Sequence, residues 1–246
     1  MKPVVIVIGG TDSSGGAGLS RDIATLTELG CEARPVVTAV TAQTDLAVHA
    51  VTALSPDHVA QQLSSALATG PVSAIKTGML HSAETVIAVA EILADFAATP
   101  LVVDPVLASS SGTPLLSPDG VAAIKTHLLP RCTLVTPNLP EARMLTGCGQ
   151  PEQQATALLE LGAGAVLVKG GHGKGEMSID RLFQSNLPPT EFATPRLNAS
   201  LRGTGCMLAS AMAASLGLGH SPEQACSMAK DFVGHKLQQA ASEICR

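Results

Sequence analysis

The chain has no tryptophan, no tyrosine and only four phenylalanines in 246 residues. That absence removes the aromatic platforms on which single-stranded nucleic acid stacks, so a flat ring ligand must be held by aliphatic, thioether and amide groups. Blocks of like charge are also missing: 15 lysines and arginines against 20 aspartates and glutamates give a formal charge of −5. A basic nucleic-acid footprint is thereby excluded. No apolar run approaches the length of a membrane-spanning helix. The opening Met1-Lys2-Pro3 and the short run at 4–8 lack both the length and the following cleavage pattern of a secretory signal. The cysteines, at 31, 132, 148, 206, 226 and 245, form no CxxC pair and no Cys/His spacing suited to zinc. A soluble, cytoplasmic protein with reduced thiols, acting without nucleic acid or membrane, is the expectation.

Hydrophobic residues make up 46% of the chain, enough to fill one large core, and a single domain over residues 1–246 is expected. Short β-branched runs at 4–8, 35–40, 47–53, 74–76, 101–104, 133–136 and 165–169 read as strands. Most are continuously apolar, as strands buried on both faces of a parallel sheet are. Helical stretches lie between them at 19–29, 56–67, 83–96, 118–128, 140–145 and 153–161, several introduced by Ser, Asp or Pro. The alternation predicts an α/β fold, a three-layer α/β/α sandwich around a mostly parallel sheet. Alternating residues at 177–195, with Pro188-Pro189, suggest a small antiparallel excursion before two last helices.

The segment Leu201-Arg202-Gly203-Thr204-Gly205-Cys206-Met207-Leu208 carries the most chemistry. Its glycines allow a tight turn and close backbone approach, and the run at 207–216 should be helical. The amides of Gly203, Thr204, Gly205 and Cys206 then sit at a helix N-terminus, where they can cradle phosphate. A thiol there has its thiolate favoured, so Cys206 is placed as base or nucleophile. The same segment reads equally as a glycine-rich turn before an inert buried cysteine.

In parallel α/β folds ligands gather at the carboxyl ends of strands, and the polar punctuation falls there. A small-residue loop, Gly9-Gly10-Thr11-Asp12-Ser13-Ser14-Gly15-Gly16-Ala17-Gly18, follows the first strand; it has neither the Walker ending nor the dinucleotide spacing. Later strand ends are Lys76-Thr77-Gly78-Met79, Asp104-Pro105-Val106, Thr136-Pro137-Asn138-Leu139-Pro140-Glu141 and Lys169-Gly170-Gly171-His172. Asp104 and Glu141 can hold magnesium, with Asn138 one helical turn from Glu141. Asn138 and Glu141 can equally be the two partners of a capping box. Lys169 can reach a nucleotide phosphate or snorkel at the surface, and His172 reads better as a loop histidine than as a catalytic one. Phosphoryl transfer asks for positioning, a metal, a cation and a donor-lined anion hole, and these parts supply all four.

Together the motifs 11–18, 77–80, 104–106, 136–142, 168–172 and 203–206 resemble, in order and approximate spacing over nearly the whole chain, the hydroxymethylpyrimidine/phosphomethylpyrimidine kinase family of thiamine biosynthesis. The resemblance implies a ribokinase-like fold, usually dimeric, that uses ATP and Mg2+ to phosphorylate 4-amino-5-hydroxymethyl-2-methylpyrimidine and then its monophosphate. It places the pyrimidine against Gly10, Asp22, Gln43, Met79 and Val106. It assigns Asn138 and Glu141 to a magnesium-linked motif, Lys169 and Thr204 to ATP phosphates, Gly203 to Cys206 to the anion hole, and Cys206 to the position of the catalytic base. Two departures stand out: Ser110 where the family commonly has lysine, and Arg202 where it usually has histidine. The guanidinium of Arg202 could replace the charge missing at Ser110, or equally be a solvated loop arginine. A pyridoxal kinase is the rival enzyme, and a non-catalytic ligand-binding relative the rival of another class.

Overall fold

The computed structural model describes residues 2–109, 112–171, 175–197 and 201–244, so Ser110 and His172 lie outside the described residues. Strand β1 (Val4–Gly10) shows why the sheet forms where it does. Val5 to Ile8 are completely buried, and successive side chains point to opposite faces: Val5 and Val7 enter one core cluster, Ile6 and Ile8 the other. A strand apolar on both faces is stable only between two helical layers.

Those layers are α1 (Gly18–Glu28), α7 (Thr204–Gly217) and α8 (Pro222–Ile244) on one side, and on the other α2 (Pro56–Ala68), α3 (Ala83–Leu93), α4 (Pro118–Ala123), α5 (Leu139–Thr146) and α6 (Pro151–Glu160). Ser55, Ser82 and Ser117 cap α2, α3 and α4 by accepting a backbone N–H in the first turn. Helix α4 is shorter than the 118–128 stretch expected: it passes at Ile124 into a π-helical turn that ends at Leu128. Its apolar positions still face the core, so the hydrophobic spacing alone did not reveal the change in winding.

The remaining strands are β2 (Glu32–Gln43), β3 (Val48–Ala53), β4 (Ala74–Thr77), β5 (Leu101–Val103), β6 (Leu134–Val135), β7 (Ala165–Val168), β8 (Met177–Gln184) and β9 (Thr190–Pro195). With β1 they form a nine-stranded sheet in the order β3-β2-β1-β4-β5-β6-β7-β8-β9. Pairing is parallel from β2 through β7. It turns antiparallel at both ends, where β3 joins β2 and where β8 and β9 follow β7. The 177–195 excursion is thus the β8–β9 hairpin. Strand β3 departs from the buried parallel pattern, because a short turn rather than a crossover helix joins it to β2, and its residues are exposed or half-buried at the sheet edge.

Chain order reverses at β1, which has β2 on one side, reached through α1, and β4 on the other, reached through α2. This is the switch point at which α/β sheets open a crevice beyond the carboxyl ends of their strands.

Candidate active site

Two half-sites meet in that crevice. One is built on β1, β2 and β4. Gly10 ends β1, and a Cβ there would lie 2.9 Å from the sulfur of Met79. Met79 packs with Ala39 and Leu115 in a small apolar cluster, against which Val51 and Val106 lie. The structure therefore brings Gly10, Met79 and Val106 together. Gln43 ends β2; its backbone is fixed by Ser13, whose hydroxyl lies 2.8 Å from both the Gln43 N–H and its carbonyl oxygen. The half-buried side-chain amide has no hydrogen-bond partner among the described residues.

Asp22, which the resemblance sets against the pyrimidine, is held in a buried ion pair. It is wholly buried, with Lys76 Nζ at 3.0 and 2.9 Å from its two carboxylate oxygens and the Ser210 hydroxyl donating to one of them at 2.8 Å. Its carboxylate is taken up by Lys76 and Ser210, and a Cβ on Gly78 would lie 2.9 Å from the Lys76 ammonium. Burial alone would pull the Lys76 ammonium below its usual range, yet Asp22 carries it above. Lys76 and Ser210 were missed from sequence; a lysine inside the apolar strand Ala74-Ile75-Lys76 was the available signal, since a buried ammonium demands a carboxylate.

The second half-site lies at the ends of β5, β6 and β7. Lys169 Nζ donates to Asp104 Oδ1 at 2.8 Å and sits 3.8 Å from Glu141 Oε2. Thr136, also missed, donates its hydroxyl to Asp104 Oδ1 at 3.2 Å. Asn138 and Glu141 do form a reciprocal capping box, with both bonds at 2.8 Å. That box starts α5 and also turns the Glu141 carboxylate towards Lys169, so the two readings of the pair are compatible. Burial by itself would raise the Asp104 carboxyl, but Lys169 and Lys76 hold it below the ordinary range. Glu141 is pushed up to about 7 by burial, opposed by Lys169 and reinforced by Asp104. Lys169 is desolvated too, and Asp104 and Glu141 keep it charged.

Helix α7 closes this half-site from above. Gly203 is its N-cap with φ 71°, a left-handed conformation that favours glycine, and a Cβ there would collide with the carbonyl oxygen of Gly16. The first-turn amides of Thr204, Gly205 and Cys206 need partners from outside the helix. A Cβ on Gly205 would lie 3.5 Å from Lys169 Nζ and 3.9 Å from Asp104 Oδ2, so the helix start, the cation and the carboxylate share one small space. Cys206 is half-buried there. Its thiol is not activated as its helix position suggests: burial pushes it up to about 11, although Lys76 and the Gly18 backbone pull the other way. Desolvation outweighs the helix end.

Arg202, just before α7, makes contacts the sequence did not disclose. Its Nη1 donates to Ser14 Oγ at 2.5 Å and to Asp45 Oδ1 at 2.8 Å, and Nη2 lies 3.4 Å from Asp12 Oδ2. It thus ties the small-residue loop to the tip of the β2–β3 hairpin.

A doubly wound sheet whose strand ends converge on a cation, two carboxylates, a glycine-capped helix start and an apolar ring slot defines a ribokinase-like kinase of small molecules. Residues 12–244 match the profile of the phosphomethylpyrimidine kinase family, and the chain belongs to it. A hydroxymethylpyrimidine/phosphomethylpyrimidine kinase of Rhizobium meliloti is 39% identical over 99% of this chain and 93% of its own length. The thiamine biosynthesis bifunctional protein ThiED of Geobacter sulfurreducens is 40% identical over 96% of this chain, which spans about half, 49%, of that longer relative. Among solved structures, pyridoxal kinase of Staphylococcus aureus in complex with pyridoxal superposes with a TM-score of 0.88 at 34% identity, covering 97% of this chain and 88% of that one. The same kinase has been solved with AMP-PCP and with ADP. No helix among the described residues is long and apolar enough to cross a membrane.

Proposed function

We propose that the chain transfers the γ-phosphoryl group of magnesium ATP to the hydroxymethyl group of 4-amino-5-hydroxymethyl-2-methylpyrimidine, and then to the resulting monophosphate, in the formation of thiamine diphosphate. The observation that carries the proposal is the shared space of Lys169, Asp104 and the first turn of α7, with Cys206 at its edge. Lys169 and the amides of Thr204, Gly205 and Cys206 are suited to the charge that spreads over the transferred group. Asp104 Oδ1 is held by Lys169 and Thr136, which leaves Oδ2 open among the described residues, and Glu141 Oε1 is free of the capping box. Two carboxylates suit magnesium, which keeps its waters and binds mainly through phosphate; among the described residues there is no group of three or more acidic, His or Cys donors that would form an all-protein cage. Asp104 and Glu141 would hold the magnesium, which would supply positive charge beside the nucleotide phosphates.

On the acceptor side, Met79 and Val106 offer an apolar face and Gln43 an amide able to donate and accept at once, which matches a ring nitrogen beside an amino group. In this reading Cys206, as its thiolate, takes the hydroxyl proton in the first step. The second acceptor is already an ionised phosphate and asks less of a base. Residues 1–246 act as one catalytic unit in this reading, in the cytoplasm and as a homodimer; the five cysteines free among the described residues support the first location, and the exposed β3 edge the second.

Likeness to a pyridoxal kinase supports a second reading, since pyridoxal also carries a hydroxymethyl group on a flat ring. Incubation with magnesium ATP and each of three acceptors, the pyrimidine alcohol, its monophosphate and pyridoxal, followed by mass analysis, tests all of it. Product from both pyrimidines is expected. Turnover of pyridoxal alone would transfer the chain to the second reading, and no turnover at all would leave a ligand-binding relative.

A further inference from the structure

A buried ion pair outside the crevice connects α8 to the phosphate half-site. Lys230 on α8 and Asp180 on β8 are 8% and 4% exposed, with Lys230 Nζ 2.8 Å from Asp180 Oδ2 and a further bond to Ser178 at 3.2 Å. The other carboxylate oxygen, Oδ1, accepts the Gly170 N–H at 2.8 Å. A buried pair of this kind contributes little net stability, because desolvation offsets its attraction. Its geometry suggests another use.

The β7–β8 ladder ends at Val168 and Arg181. Just beyond it the Lys169 N–H bonds the Pro137 carbonyl at 2.9 Å, and the next amide, that of Gly170, is taken by a side chain where a main-chain carbonyl would ordinarily serve. Gly170 lies flat on β8, so that a Cβ would collide with the Ile179 carbonyl oxygen. From the opposite side Arg196 donates to the carbonyls of Gly171 at 2.6 Å, Gly175 at 3.0 Å, Met177 at 3.3 Å and Gly170 at 3.4 Å. The backbone on both sides of Lys169 is therefore fixed, and its side chain leaves towards Asp104 from a rigid base.

We propose that Asp180, oriented by Lys230, is a positioning residue that fixes the Gly170 amide and thereby aims Lys169 and the 169–171 backbone at the nucleotide phosphates. This rests on the reading of that strand end as phosphate-binding. Two charge-neutral double variants separate positioning from stability. Asp180→Asn/Lys230→Met keeps an oxygen for the Gly170 N–H, and Asp180→Ala/Lys230→Met removes it. The second should raise the KM for ATP roughly five- to tenfold, about the worth of one hydrogen bond, and the first should stay within about twofold of the unmodified protein. The KM for the pyrimidine should move in neither. If the alanine variant does not fold, Asp180→Leu/Lys230→Met carries the same comparison with the volume retained. Equal ATP KM values in the two kinds of variant, or an equal rise for the pyrimidine, would overturn the proposal. Lys169→Met is run beside them: a fall in its kcat/KM for ATP with matched double variants defeats the positioning role alone, and an unchanged kcat/KM defeats the phosphate reading and the proposal with it.

Discussion

Lys76 and Lys169 are both strand-end lysines held by a buried aspartate, and they differ in what surrounds the pair. Lys76 and Asp22 are each 1% exposed and satisfy one another bidentately. Lys169 is 13% exposed, makes a single bond to Asp104, leans on Glu141 and opens onto the α7 helix start. An ammonium whose partner takes two of its donors in a sealed pocket has little left to offer a ligand, whereas one shared loosely at the rim of a crevice can reach an incoming phosphate. In the proposed reading the first pair holds the site in shape and the second serves the transferred group.

The largest expected effects test that contrast directly. Lys76→Met leaves the Asp22 carboxylate buried without its counter-charge and should cost about 3–5 kcal/mol in denaturant unfolding, with much of it recovered in Asp22→Asn/Lys76→Met. Lys169→Met also takes a counter-charge from buried Asp104, but Lys76 still acts on that carboxylate, so its stability loss should be clearly smaller than that of Lys76→Met. Lys169→Met should instead lower kcat roughly a hundred- to a thousandfold, as removal of a donor to developing charge does. Similar stability losses in both variants would erase the distinction.

Cys206 sharpens it from the side of the acceptor. Cys206→Ala should slow phosphorylation of the alcohol by about a hundredfold or more and that of the monophosphate less. With the thiol raised to about 11, the thiolate is the minor form near neutrality, and its fraction grows about tenfold per pH unit until that value is approached. Above pH 7, kcat/KM for the alcohol should accordingly climb with pH in the unmodified protein and not in Cys206→Ala. A flat profile in both would exclude the thiolate from the rate-limiting proton transfer.

What the sequence disclosed and what it concealed divide along physical lines. Strand and helix order was legible because buried parallel strands and capped helices leave periodic apolar signals, as Val4–Gly10 and the Asn138–Glu141 box show. The α7 start was legible because Gly203 and Gly205 answer local backbone demands. Partners distant in sequence were not: Asp22 with Lys76, Asp180 with Lys230 and Arg202 with Asp45 are joined only by folding, and no periodicity encodes them. The thiol of Cys206 failed for a related reason, since helix position is local but desolvation depends on everything packed around it.

In the acceptor half, Gln43 offers a smaller effect. If its free amide pairs with the ring, Gln43→Leu strands a polar group of the bound pyrimidine and should weaken its binding by about 1–3 kcal/mol in calorimetric titration, with nucleotide affinity unchanged. Unaltered pyrimidine affinity would leave Gln43 as a hairpin residue only.

Arg202 joins the two halves and is expected to have the mildest effect. In this structure its guanidinium serves Asp45, Ser14 and Asp12, all on the acceptor side, and Asp45 is mostly exposed, with a side-chain exposure of 75%. An exposed pair of that kind contributes about 0–1 kcal/mol, so a phosphate arriving on the monophosphate acceptor can displace Asp45 and take the bidentate guanidinium. Arg202→Ala should then raise the KM for the monophosphate roughly tenfold while sparing the alcohol, the worth of one charge-assisted contact. Asp45→Asn removes the competitor and should lower that same KM by about two- to fivefold, in keeping with a weak surface pair. Introducing Ser110→Lys into Arg202→Ala should restore part of the loss if the two positions supply the same charge. Arg202→Ala and Asp45→Asn moving the monophosphate KM in the same direction would show instead that the guanidinium acts by holding the hairpin closed, and that the charge it carries never meets the phosphate.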